Sequence, residues 1–163
     1  MTEYTRPATW DDLVAIARYL DESGADYALV GGYALAAHGF SRFTEDVDLL
    51  VEPSAANSRR WIAALSRLPD QAASQLLSSP DVFATDRRYA IRINDEITLD
   101  VMPSVAGLSW DSLRPNITVV EIGGQSIRLL DLEGLLKTKL GVRPKDQQDA
   151  ALISAAIKAL RER

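Results

Sequence analysis

The chain has 163 residues, 47% hydrophobic and 25% charged, with a formal net charge of -5 from 23 acidic against 18 basic residues. That composition is globular and long enough to bury about two thirds of the unfolded surface, which excludes disordered, collagen-like and fibrous heptad sequences. The absence of cysteine removes disulfide scaffolds, thiolate zinc, iron–sulfur clusters and thiol nucleophiles, and a single histidine, His38, rules out a three-histidine metal site.

In chain order, Thr9 is placed to cap a helix running to about Ser23, with Asp12 in the capping-box position and Gly24 as its stop. Residues 27–30 predict a short strand that runs into Gly31-Gly32, and Tyr33 to His38 predicts a helix ending at Gly39. A second strand is expected over Asp46 to Val51, followed by a helix from Pro53-Ser54 through Trp61, Ile62 and Leu65 that stops near Pro69. A short helix around Ala72 to Leu77 and a loop through Pro80 come next. Residues 89–93 and 97–101 flank Asn94-Asp95-Glu96 as a hairpin, and residues 117–122 and 126–130 flank Gly123-Gly124-Gln125 as another. Helices over Leu132 to Leu140 and from Pro144 to the C-terminus complete the chain. With no repeat, linker or low-complexity tract, this reads as one α/β (α+β) domain over 1–163, a mixed sheet flanked by helices, with its core at about 27–103 and C-terminal helices at about 131–163.

No stretch approaches the roughly 18 uninterrupted apolar residues of a membrane span, and no apolar region follows the N-terminal residues, so a cytoplasmic protein without membrane partners is expected. The acidic balance argues against a generally basic nucleic-acid surface but leaves room for a local basic groove.

Strand alternation puts Asp46 and Asp48 on one face and Val47 and Leu49 on the other, in the core. Two carboxylates side by side in an apolar strand repel each other unless a cation lies between them, and a hard, oxygen-preferring divalent ion such as magnesium is the natural counter-charge. In the strand after the first hairpin, Asp100 is an acid among Ile97, Leu99 and Val101. If the two strands are neighbours, three carboxylates meet on one face, a geometry for two metal ions that activate an attacking oxygen and stabilise a leaving pyrophosphate. Taken alone, an Asp-x-Asp is more often a solvated strand end. The Gly31-Gly32 pair, between strand and helix, can bring bare backbone amides to a triphosphate, whereas Gly123-Gly124 is best explained as a hairpin turn.

Leu29-Val30-Gly31-Gly32, followed after thirteen residues by Asp46-Val47-Asp48-Leu49, resembles the glycine and double-acid signature of the nucleotidyltransferase superfamily that includes DNA polymerase beta. Asp100 falls where that superfamily places its third carboxylate. His38-Gly39, Arg42-x-Thr44-x-Asp46-Val47-Asp48 and Arg143-Pro144-Lys145-Asp146-x-x-Asp149 bring the resemblance closest to the stand-alone abortive-infection and toxin-type nucleotidyltransferases. The resemblance implies transfer of a nucleoside monophosphate from an NTP to an acceptor hydroxyl or phosphate with release of pyrophosphate. It implies two Mg2+ ions, with Mn2+ as an alternative, and ATP among the donors. The acceptor would be tRNA, a protein or a small molecule, and an antitoxin or partner subunit would accompany a toxin. On this reading Gly31 and Gly32 hold the triphosphate, Asp46 and Asp48 ligate both metals, and Asp100 ligates the catalytic metal and helps deprotonate the acceptor.

Arg42 and Thr44 either contact phosphate or brace the loop before the acids. Lys139, at the centre of an apolar side formed by Leu135, Leu136 and Leu140, is preferred over Lys137 as a phosphate ligand. His38 is better explained as a cap or packing residue than as a catalyst. Arg143, Lys145, Asp146 and Asp149 read equally well as a salt-bridged helix start or as catalytic groups. The competing function is a non-catalytic NTP- or partner-binding module that retains the fold.

Overall fold

A computed structural model describes residues 5–41, 44–85, 89–141 and 143–162. Thr9 caps α1 (Trp10–Ser23) through both halves of a capping box: its hydroxyl accepts from the Asp12 amide, and the Asp12 carboxylate accepts from the Thr9 amide. Leu13, Ile16, Ala17 and Leu20 form the buried stripe of this helix, and Gly24, at φ 72°, ends it.

A six-stranded mixed sheet forms around β1 (Tyr27–Val30), β2 (Val47–Val51), β3 (Ile91–Asn94), β4 (Thr98–Met102), β7 (Ile117–Ile122) and β8 (Gln125–Leu130), in the order β3-β4-β2-β1-β8-β7. The order interleaves distant parts of the chain: β2 lies antiparallel to β1 and parallel to β4, while β8 is parallel to β1. Leu13, Ile16 and Ala17 of α1 meet Leu29, Val47, Leu49 and Ile127 on one face of the sheet. Asp48, alternating with Val47 and Leu49, therefore lies on the other face. The helix α3 (Ala55–Leu65), capped by the Ser54 hydroxyl, packs against α1 and buries Trp61, Ile62 and Leu65.

Several boundaries differ from the sequence reading. Strand β2 starts at Val47 rather than Asp46: its first cross-strand partner is Leu99 of β4, while β1 pairs only as far as Val30 with Asp48 before the chain turns at Gly31 into α2 (Gly31–Ala37). The short helix expected around Ala72 to Leu77 is present as a 3-10 helix over Ala72–Ser78, with Ala73 as its one buried residue. The helix expected to reach Leu140 stops earlier. In α5 (Leu132–Lys137) the Thr138 hydroxyl donates to the Leu135 carbonyl and the Lys139 amide to that of Leu136, tightening the last turn and leaving Leu140 exposed. The short hairpin of β5 (Ser104–Val105) and β6 (Leu108–Ser109) and the one-turn α4 (Trp110–Leu113) were not anticipated. The second glycine pair does make a hairpin turn: Gly123 and Gly124, at φ 57° and 78°, join β7 to β8. The last helix, α6 (Pro144–Arg161), buries Asp146, Asp149 and Ile153.

Asp95 carries structural weight that its turn position conceals. It is 1% exposed, and its carboxylate accepts from the amides of Asp70, Ala72 and Glu96 at 2.8, 3.0 and 2.9 Å. Replacing Asp95 with Ala strands those donors, so a loss of about 3 kcal/mol is expected in urea denaturation, with Asp95→Asn less damaging.

Candidate active site

The carboxylates are brought together by strand register. Asp48 on β2 is the direct partner of Asp100 on the parallel neighbour β4, so the two side chains stand side by side about one strand spacing apart. Asp46, one residue before β2, lines the same cleft, a hollow of about 470 Å³ that also includes Gly32, Leu35, Thr44, Glu45, Lys139, Lys145 and Asp149. Burial, then repulsion from Asp100 and Asp46, pushes the Asp48 carboxyl up to about 6, against the opposing influence of Arg92 and Lys139. The face thus concentrates acid beyond what its own cations neutralise.

Both glycines of the first pair are dictated by packing. Gly31 has φ +70°, and a Cβ built there would lie 2.3 Å from the Asp48 Oδ2. A Cβ on Gly32 would meet Thr44 Oγ1 at 2.9 Å and Thr44 Cβ at 3.0 Å. Thr44 in turn donates its hydroxyl to the Asp46 carbonyl at 3.3 Å, bracing the segment that carries the first acid. The paired glycines leave room for the Asp48 carboxylate and for the Asp46 loop, a requirement separate from any contact with phosphate.

Lys139 reaches the cleft, although not from a helix face as its spacing suggested, since it lies in the turn after α5. Its Nζ is 3.2 Å from Asp149 Oδ2 and 3.8 Å from Asp146 Oδ1, both on the buried side of α6. Lys137 is exposed and donates to Asn116 Oδ1. Arg143 pairs with Asp146 at 2.9 Å and holds that carboxyl below its ordinary value. The tail motif thus forms the salt-bridged helix start, and through Asp149 it also tethers the cleft lysine. His38 Nε2 lies 2.9 Å from the Leu130 carbonyl, which ties the end of α2 to β8 and fits the packing role. Arg42 lies outside the described residues.

Arg92 escaped the sequence reading. On β3, opposite Asp100, it donates to both carboxylate oxygens through Nε and one terminal nitrogen, each at 3.0 Å, and comes within 3.8 Å of Asp46 Oδ2. The hairpin register supplies the missing signal. A turn over residues 94–96 would set Ile93 opposite Ile97 and Arg92 opposite Thr98, whereas the observed pairing of Asn94 with Thr98 shifts Arg92 onto Asp100.

Asp46, Asp48 and Asp100 offer only hard carboxylate oxygens, a donor set suited to magnesium or manganese. Among the described residues no three acidic or imidazole groups stand ready to hold one ion. Arg92 already engages both Asp100 oxygens, while Asp48, raised first by burial and then by Asp100 and Asp46, faces the same cleft.

Paired acids on adjacent parallel strands, preceded by a glycine pair at a strand–helix junction, bring into one cleft the residues that carry the resemblance to the nucleotidyltransferases. Residues 14–140 match the family described as nucleotidyl transferase AbiEii toxin, type IV TA system, and the chain belongs to that family. Solved structures agree at the level of fold. A Thermotoga maritima protein classed as a nucleotidyltransferase is 16% identical, with a TM-score of 0.59 over 94% of this chain and 93% of that one. The lincosamide antibiotic adenylyltransferase LnuA, bound to lincomycin, is 14% identical, with a TM-score of 0.58 over 91% and 98%. The antibiotic-resistance factor ANT(2'')-Ia is 17% identical, with a TM-score of 0.54 over 89% and 82%. No curated protein sequence gives a match. Among the described residues no helix is long and apolar enough to cross a membrane.

Proposed function

We propose that the protein moves a nucleoside monophosphate from an NTP to a hydroxyl or phosphate of a tRNA, a protein or a small molecule, releasing pyrophosphate, at the cleft of Asp46, Asp48 and Asp100. The observation that carries this reading is the side-by-side register of Asp48 and Asp100, with Asp46 and Lys139 in the same cleft. Asp46, Asp48 and Asp100 would hold magnesium, which when bound supplies Lewis acidity and charge neutralisation for in-line displacement at the α-phosphorus. As the acceptor oxygen bonds to phosphorus and the bond to pyrophosphate breaks, Asp100 takes the acceptor proton. Lys139, with Gly31, Gly32 and Thr44 around the glycine turn, binds the NTP, and its tether to Asp149 keeps the ammonium over the cleft; Arg42 is assigned to the same phosphates on the family resemblance alone. ATP is one candidate donor, and the cytoplasm is the expected compartment.

The chain's family supports a toxin role with an antitoxin or partner subunit. Expression should then arrest growth, and Asp46→Asn should relieve the arrest; equal toxicity of the two proteins would refute that role. A second reading, an NTP- or partner-binding module retaining the fold, draws on the Arg92 clamp that occupies Asp100. Calorimetry with magnesium and each NTP, followed by a pyrophosphate-release assay over candidate acceptors, separates the two. Turnover supports the enzyme, and tight binding without turnover supports the module.

A further inference from the structure

We infer that Arg92 is a positioning residue, the resident counter-ion of Asp100, and that a divalent cation entering the carboxylate cleft must displace its guanidinium, so that Arg92 sets how much free metal loads the site. The inference rests on the proposed function, in that it takes the three acids to be the metal ligands.

Arg92 and Asp100 are cross-strand partners, and the guanidinium meets the carboxylate as a two-pronged fork with both contacts at 3.0 Å. The same group lies 3.8 Å from Asp46, so one fixed positive charge spans two of the three acids. An incoming cation sharing those oxygens meets like charge a few ångströms away and is repelled by it.

The clamp is also built to open. The Arg92 side chain is 60% exposed against 17% for Asp100, so it sits on the solvent side and can leave without disturbing the core. A groove of about 490 Å³ lies beside it, between β3 and the 3-10 helix, where Ser74, Gln75 and Asn94 offer polar neighbours. Lys139, in the same cleft, is paired with Asp149 and Asp146 of α6, whereas Arg92 forks onto both oxygens of Asp100. Arg92 is therefore the cation that must yield at Asp100.

The test is Mn2+ binding by electron paramagnetic resonance, without nucleotide and at low salt, on wild type, Arg92→Ala, Arg92→Lys and Asp46→Asn, with circular dichroism melts confirming that each is folded. Arg92→Ala should bind Mn2+ about three- to tenfold more tightly than wild type. Arg92→Lys, which keeps the charge but loses the fork, should fall between them, and Asp46→Asn should bind more weakly than wild type. Unchanged or weaker binding by folded Arg92→Ala, with Asp46→Asn still weakened, overturns the role of Arg92 and leaves the carboxylate site standing. If wild type and Asp46→Asn titrate alike, the metal-binding reading of the site falls, and this inference with it.

Discussion

Asp48→Asn is expected to yield a protein that is more stable than wild type and unable to transfer nucleotides. The carboxyl of Asp48 is pushed up to about 6 from an ordinary 3.8, first by burial and then by Asp100 and Asp46. A raised carboxyl binds its proton more tightly in the folded than in the unfolded chain, so stability falls as pH rises from about 4 to about 6, and the full penalty persists above that window. Asparagine, of nearly the same shape, removes the charge and with it a penalty on the order of 2 kcal/mol, or roughly 5 °C in Tm. In metal-free buffer, melts at pH 7.5 should favour Asp48→Asn by that margin, and the advantage should vanish as pH approaches 4. Nucleotidyl transfer should drop on the order of a thousandfold, because a proposed metal ligand is lost. Equal melting temperatures at pH 7.5 would show that the acid face is not strained by its own charge.

Gly31→Ala has the second largest expected effect, and for two separate reasons. At φ +70° an L side chain costs about 1–2 kcal/mol in backbone strain, and its Cβ would also sit 2.3 Å from the Asp48 Oδ2. The carboxylate must retreat, and a shift of about 1 Å in a reacting group can cost on the order of a hundredfold in rate. Both a lower melting temperature and a loss of transfer are expected. Gly24→Ala is the control, since Gly24 shares the positive φ, at 72°, but has nothing within 4 Å of its Cβ. It should lose stability while keeping activity. Full activity in Gly31→Ala would mean that the contact with Asp48 does not position the acid.

The fold was legible in the sequence wherever a local rule governs. The Thr9–Asp12 capping box, the alternation that separates Asp48 from Val47 and Leu49, and the Gly123-Gly124 turn each follow from neighbours a few residues apart. The mixed sheet flanked by helices followed from the order of predicted strands and helices, and the nucleotidyltransferase class from the resemblance carried by the combined glycine and acid pattern. What stayed hidden depends on contacts between distant segments. The shortened α5 reflects a tight closing turn, and the buried Asp95 holds amides some 25 residues away. Arg92 was hidden by a small error in where the hairpin turns, since moving the loop by one residue changes its cross-strand partner from Thr98 to Asp100. The dipeptide Gly31-Gly32 was read for what it offers a phosphate. Its steric relation to Asp48 and Thr44 required the three-dimensional packing.

The central proposal is that three acids, from two strands and the segment before one of them, act as one site for nucleotidyl transfer. Its most direct test incubates the purified protein and magnesium with each of four α-labelled NTPs in a cell lysate, then separates RNA, protein and small molecules. Label from an NTP should appear in one fraction with wild type and be lost with both Asp46→Asn and Asp100→Asn. Undiminished labelling by either folded variant, or no label in any fraction from wild type with any of the four NTPs, would contradict it.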